Sequence, residues 1–147
     1  MRTALWIALT FTVACGPSMQ KPSGFARVDG DYDVRVTNAE GVVIAVNSHR
    51  NRGPNGDLAF WAGALEARME RTYGEVERLE IESDDGHEGI ALRARTVEGG
   101  RPYIYWAAVY LMGRRDRQVV TVEAGGDEAY FLPVADEVEA AMRSVER

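Results

Sequence analysis

Cysteine is nearly missing from this 147-residue chain: there is one, Cys15. No disulfide can form within the chain, so the folded part is held by burial and hydrogen bonding alone. Histidine is almost as scarce, with His49 and His87 only. No HxxxH-type spacing joins them and no cysteine pair accompanies them, so the usual zinc templates are absent. No serine lies in a Gly-x-Ser-x-Gly turn, the elbow that presents a nucleophile in many hydrolases. Lysine occurs once, at Lys21, against sixteen arginines. Bases total 17 and acids 23, a net charge of −6, which gives no overall attraction to nucleic acid. Long apolar runs are lacking too: 4–13 and 103–112 are each ten residues, about half of what a membrane-spanning helix needs.

The second of those runs organises the rest. Tyr103-Ile104-Tyr105-Trp106-Ala107-Ala108-Val109-Tyr110-Leu111-Met112 holds no charge, glycine or proline. Its aromatic and branched residues predict a strand. Both alternating sets are apolar, so both faces of this strand are expected to be covered, as in the middle strand of a sheet between layers.

Around it, periodicity predicts the other elements. Tyr32 to Thr37 alternates as a half-buried strand, and Val42 to Val46 is apolar on both sides. Asn47 to Gly56 reads as a polar loop. Asp57 caps a helix through Tyr73, with Leu58, Trp61, Ala62, Leu65, Met69 and Thr72 on one face and Gly74 as the stop. Arg68 and Arg71 suit its C-terminal dipole. Glu77 to Glu82 and Ile90 to Val97 form a hairpin around Ser83-Asp84-Asp85-Gly86. Gly99-Gly100 and Gly125-Gly126 read as turn glycines, and Gln118 to Ala124 as the last strand. Pro133 opens a final helix whose buried face is Val134, Val138, Ala141, Met142 and Val145. An extra strand fits 25–28. Short connections make the sheet largely antiparallel. The expected class is α+β: an α/β/α sandwich with six or seven mostly antiparallel strands and two amphipathic helices.

The N-terminus reads as a signal peptide over 1–14. Arg2 is its positive start, 4–13 its apolar middle and Ala14 its small residue. Thr12-Val13-Ala14-Cys15 resembles the lipobox of bacterial lipoproteins, with Thr12 in place of the usual Leu. That resemblance implies that Cys15 carries diacylglycerol, that the chain is cut before it, and that the new amine is acylated. Residues 15–24, rich in Gly, Pro and Ser, are then the lipidated cysteine and a flexible tether. The domain is expected over 25–147. Gly16 after the cysteine is not a retention Asp, so the family's sorting habit implies the outer membrane, facing the periplasm. Loss of Arg2 leaves the chain still more acidic, and membrane contact is expected through the lipid rather than through a basic face.

Candidate chemistry is thin. Asp29, Asp31, Asp33 and Glu40 match positions one, three, five and twelve of a calcium loop, but Val34 holds the position that needs glycine. A strand turn is the plainer reading. Asp84, Asp85, His87 and Glu88 crowd a hairpin tip. Arg114, Arg115 and Arg117 form a small basic tip, read as solvated. Trp61, Tyr103, Tyr105, Trp106 and Tyr110 fall at core positions. The element order, and the close on Gly-Gly-Asp-Glu-Ala-Tyr-Phe followed by an apolar-faced helix, is similar to the PsbP-like superfold, including the DcrB-like lipoproteins, over 25–145. That resemblance implies a binding or assembly protein without catalytic residues or cofactor. The expectation is a monomeric, lipid-anchored envelope protein with a protein partner. The alternatives are a small-ligand carrier with a pocket between sheet and helix, and a hydrolase or metal-dependent enzyme using His49 or His87, which needs both histidines and carboxylates in one cleft.

Overall fold

The computed structural model describes residues 16–52 and 56–147; Cys15, the expected lipidation site, and the signal peptide expected over 1–14 lie outside them. Seven strands form one sheet: β1 Ala26–Arg27, β2 Val34–Thr37, β3 Val43–Arg50, β4 Val76–Glu82, β5 Glu88–Glu98, β6 Arg101–Met112 and β7 Gln118–Asp127. Helix α1 is Leu58–Tyr73, α2 is Glu128–Phe131 and α3 is Ala135–Arg143. The spatial order is β1-β2-β3-β7-β6-β5-β4, and every pairing is antiparallel. The fold is therefore α+β with helices on both faces of an antiparallel sheet. No helix among the described residues is long and apolar enough to cross a membrane.

Strand β6 lies between β7 and β5 and is covered on both sides, as its two apolar sets require. Ile104, Ala108, Tyr110 and Met112 join Phe131, Val138, Ala141 and Met142 in one core. Ala107 and Val109 join Ala62, Leu65 and Met69 of α1 in the other. The exact middle of the sheet is β7 rather than β6. β7 runs longer than its pattern suggests because Gly125 and Gly126 are strand residues, paired with Tyr105 and Ile104. They are glycines for space. A Cβ on Gly125 would lie 2.9 Å from the Tyr103 hydroxyl, and one on Gly126 would lie 3.0 Å from Val42 Cγ2.

The helix signals act where the sequence places them. The Asp57 carboxylate accepts from the Phe60 N–H at 2.8 Å, and Gly74 ends α1 at φ 87°, donating to the Glu70 carbonyl. Thr72 is the exception. It is exposed and donates to the Arg68 carbonyl, while Tyr73 packs inward instead. The final helical region splits at Leu132–Val134, a turn of 3₁₀ helix around Pro133.

Two loop expectations give way. Asn47, Ser48, His49 and Arg50 extend β3, because β7 offers Thr121, Val120, Val119 and Gln118 as partners. The tether expected over 15–24 is docked over much of its described part. Ser18 and Glu146 exchange both backbone hydrogen bonds, the Gln20 N–H donates to Ser144 Oγ at 2.9 Å, and Pro17 and Pro22 are buried.

Candidate functional site

The register assigns each strand residue to a face. One row runs Arg35, Ala45, Glu123, Ala107, Leu92, Arg78 across six strands. Helix α1 lies on this face, packed mainly over β4, β5 and β6 and reaching Val119 of β7. Beyond that, the half made by β2, β3 and β7 is met only by side chains at the edge of α1, and there the alternation turns polar: Asn47 and His49 on β3, Thr121 and Glu123 on β7. Polar residues at alternate positions of an interior strand are tolerated only where that face is wet.

The edge of α1 and this open half-face enclose a groove of about 300 Å³. Ala45, Asn47, Thr121 and Glu123 form its floor, Trp61, Ala64, Leu65 and Arg68 its helical wall, and Tyr32 its far rim. Trp61 is fixed from two sides. Its ring meets His49 edge-on at 5.0 Å between centroids, and its Nε1–H donates to Asn51 Oδ1 at 3.2 Å. Asn51 is itself held, donating to the carbonyls of Gly56 and Asp116.

At the other end of the groove Arg68 pairs with Glu123. Besides suiting the C-terminal dipole of α1, the Arg68 guanidinium spans from helix to sheet. Burial works against the Arg68 charge, but the Glu123 carboxylate outweighs it and holds the guanidinium above its usual value. The Tyr105 hydroxyl lies within the field of Glu123, and the Tyr105 ring stacks on Tyr73 at 4.6 Å. Burial, reinforced by Glu123, pushes the Tyr105 hydroxyl far above the ordinary tyrosine range. The groove thus carries a fixed indole, apolar contacts from Ala45, Ala64 and Leu65, and neutral hydrogen-bonding groups, with a compensated ion pair at one end. Of the aromatics read as core, Trp61 lines the groove, Tyr110 is fully buried, and Trp106 packs edge-on against Phe131 at 4.9 Å.

The histidines do not share a cleft. His49 is a β3 residue in the groove, whereas His87 stands at the β4–β5 hairpin tip, 3.4 Å from Asp85, at the far side of the sheet. The cleft with both histidines that the enzyme reading requires is not formed. The calcium-loop candidates are also separated. Strand β2 runs between Asp33 and Glu40, and Asp33 is taken up by the Ser48 N–H and hydroxyl at 2.6 and 2.9 Å. Asp29, Asp31, Asp33 and Glu40 therefore form no common ligand set. Among the described residues no three His, Cys, Asp or Glu side chains converge on a metal position. Of the residues missed in the sequence, Thr121 and Glu123 did leave a signal: they interrupt an otherwise apolar strand at a spacing of two, whereas Asn47 opens a run of four polar residues.

No family model matches the chain, and no curated protein sequence matches it. Solved structures do resemble it. LpqN, involved in cell envelope biogenesis of Mycobacterium tuberculosis, superposes with a TM-score of 0.67 at 9% identity, covering 92% of this chain and 87% of LpqN. The cyanobacterial PsbP of Synechocystis matches at 0.55 and 14% identity, covering 94% and 98%. A Pseudomonas aeruginosa protein of unknown function, PA94, matches at 0.54 and 16%, covering 87% and 85%. At these identities the likeness is one of fold, and it is the PsbP-like fold that the element order resembles.

Proposed function

We propose that this chain is a non-catalytic envelope lipoprotein, held to a membrane through Cys15, whose working surface is the groove beside α1. The observation that carries the binding part is the incomplete cover of one sheet face. A helix that lies over half a sheet leaves the other half for a partner, and here that half is both apolar and hydrogen-bonding, as binding sites are. The occupant that suits it is a partly apolar group or chain segment with uncharged polar atoms, because the one ion pair on the rim is already internally satisfied. The anchor rests on the lipobox resemblance, and the envelope setting on that resemblance together with the fold shared with LpqN.

Photo-crosslinking tests the groove. A photoreactive residue at Ala64, on the groove wall, is expected to capture a discrete partner or ligand in cells of the source. The same residue at Ala59, exposed on another side of the same helix, is expected to capture none. Equal capture at both positions, or capture at Ala59 only, removes the groove as the working surface.

A further inference from the structure

We propose that one end of the sheet, built from Arg50, Arg52, Arg114, Arg115 and Arg117, seats on anionic phospholipid headgroups and fixes how the anchored domain stands on the membrane. This rests on the reading of Cys15 as the lipid anchor.

Arg50 ends β3 and Arg52 follows it; the other three lie in the turn between β6 and β7. The register brings them together, since Gln118 pairs with both Arg50 and Met112. Asn51 ties the two segments, its N–H donating to the Arg117 carbonyl at 2.8 Å and its side chain to the Asp116 carbonyl at 3.1 Å. All five arginines are exposed. Six other arginines (68, 78, 93, 95, 101 and 143) are taken up in ion pairs with acids, and these five are not. Arg115 and Asp116 both hold left-handed backbone, at φ 58° and 52°, a strained arrangement for two residues that are not glycine.

The chain leaves the fold toward Cys15 at the same end. Ser18 and Glu146 form an antiparallel bridge. Pro17, the residue before Ser18, therefore runs alongside Arg147, the residue after Glu146, and Gly16 follows at this end. The Arg147 guanidinium lies 3.9 Å from where a Cβ on Gly113, the first residue of the arginine turn, would stand. An acyl chain on Cys15 thus brings this end within a few residues of the headgroups. At that range the local charge decides, not the total, because screening confines surface interactions to about 8 Å at physiological salt. Asp116, exposed within the turn, lowers the patch's net charge, and Asp31 on one flank and Asp84 and Asp85 on the other limit the footprint to a strip. The acids elsewhere favour the same pose, since an acidic body is repelled by the surface that its basic end meets. One lipid anchor and one basic patch together are the two signals that stable, oriented attachment requires.

The full-length lipoprotein, purified with its acyl chains, is placed on phosphatidylcholine vesicles and on vesicles also containing phosphatidylglycerol, and amide hydrogen exchange is compared. The amides of 49–52 and 113–118 are expected to exchange about tenfold more slowly on the anionic vesicles, with the difference abolished by about 0.5 M salt. The triple variant Arg114→Gln, Arg115→Gln, Arg117→Gln is expected to lose the difference while staying on both vesicles. Equal exchange on the two vesicle types, slow or fast, overturns the seating, and the wild-type salt series decides even if the variant folds poorly. Detachment from both types, with no acyl group on the protein, is a different result: it sinks the anchor and this inference with it.

Discussion

Gly89 faces Tyr110 across the β5–β6 register, and a Cβ there would lie 2.5 Å from the ring carbon Cδ1 and 2.9 Å from the Val109 carbonyl. Tyr110 cannot yield, because it is fully buried and its hydroxyl donates to the Met142 carbonyl at 3.0 Å. Gly89→Ala is expected to cost about 2–3 kcal/mol by overpacking, read as a fall in denaturant midpoint with an unchanged slope. Tyr110→Phe keeps the ring and loses the hydrogen bond, so about 1–2 kcal/mol is expected. Glu139 makes a pH-dependent case. Its hydrogen bond from Arg143, aided by Arg93, outweighs partial burial and holds its carboxyl below the usual 4.5. A folded-state value below the unfolded one stabilises above the unfolded pKa and loses that contribution as pH falls through the folded value. Glu139→Gln is therefore expected to cost up to about 1 kcal/mol at neutral pH, a modest figure because the pair is partly solvated. The cost should shrink as pH falls below 4.5, and a gap between wild type and variant that stays flat through the acid range contradicts the assignment.

Among the elements, β6 and α1 position everything else. Strand β6 has a core on each side, so neighbouring substitutions must both destabilise. Trp106→Ala removes the ring that Phe131 meets edge-on and that Arg93 covers at 4.2 Å; about 2–4 kcal/mol is expected. Val109→Ala, on the α1 side and 1% exposed, is expected to cost about 1–3 kcal/mol. A neutral result for either, in chemical unfolding, would mean that one face is not packed. Helix α1 sets the groove wall, and its first turn depends on the Asp57 cap. Asp57→Ala is expected to cost about 1 kcal/mol and to loosen Trp61 at the second turn, visible as a shift in its fluorescence. Strand β4 is an edge of the sheet, and Glu77, Arg78, Glu80 and Glu82 along it guard against pairing with another chain.

At the scale of the whole molecule, charge is segregated rather than spread. The chain carries −6, yet five exposed arginines gather where two loops meet. The total therefore says little about which end approaches a membrane. The anchor itself is tested by fatty-acid labelling in cells: wild type is expected to take up label and Cys15→Ala to remain an unlabelled, uncut precursor. Equal label in both proteins counts against the lipobox. Because the N-terminal segment is bridged to Glu146, the domain is expected to stand close over its anchor rather than swing on a free tether.

Much of the fold was legible before any coordinates. The two-sided apolar run of β6, the three- and four-residue spacing in α1, Asp57 and Gly74 at its ends and the short hairpin turns are local signals, and local backbone preferences and burial patterns obey them directly. The groove was not legible in the same way. Asn47 and His49 read as loop because four polar residues in a row carry no strand signal; β7 makes them strand by offering a partner 68 to 74 positions away. Gly125 and Gly126 read as a turn because no sequence pattern tells a glycine that bends the chain from one that makes room for Tyr103 and Val42. Arg68 and Glu123 meet across 55 residues, and the arginine end needs two loops and a terminus to converge. Sequence determined which stretches become strands and helices and which sides they bury, since those follow from neighbours along the chain. Only tertiary structure decided how far α1 reaches across the sheet, and therefore which polar strand residues are left facing solvent as a groove.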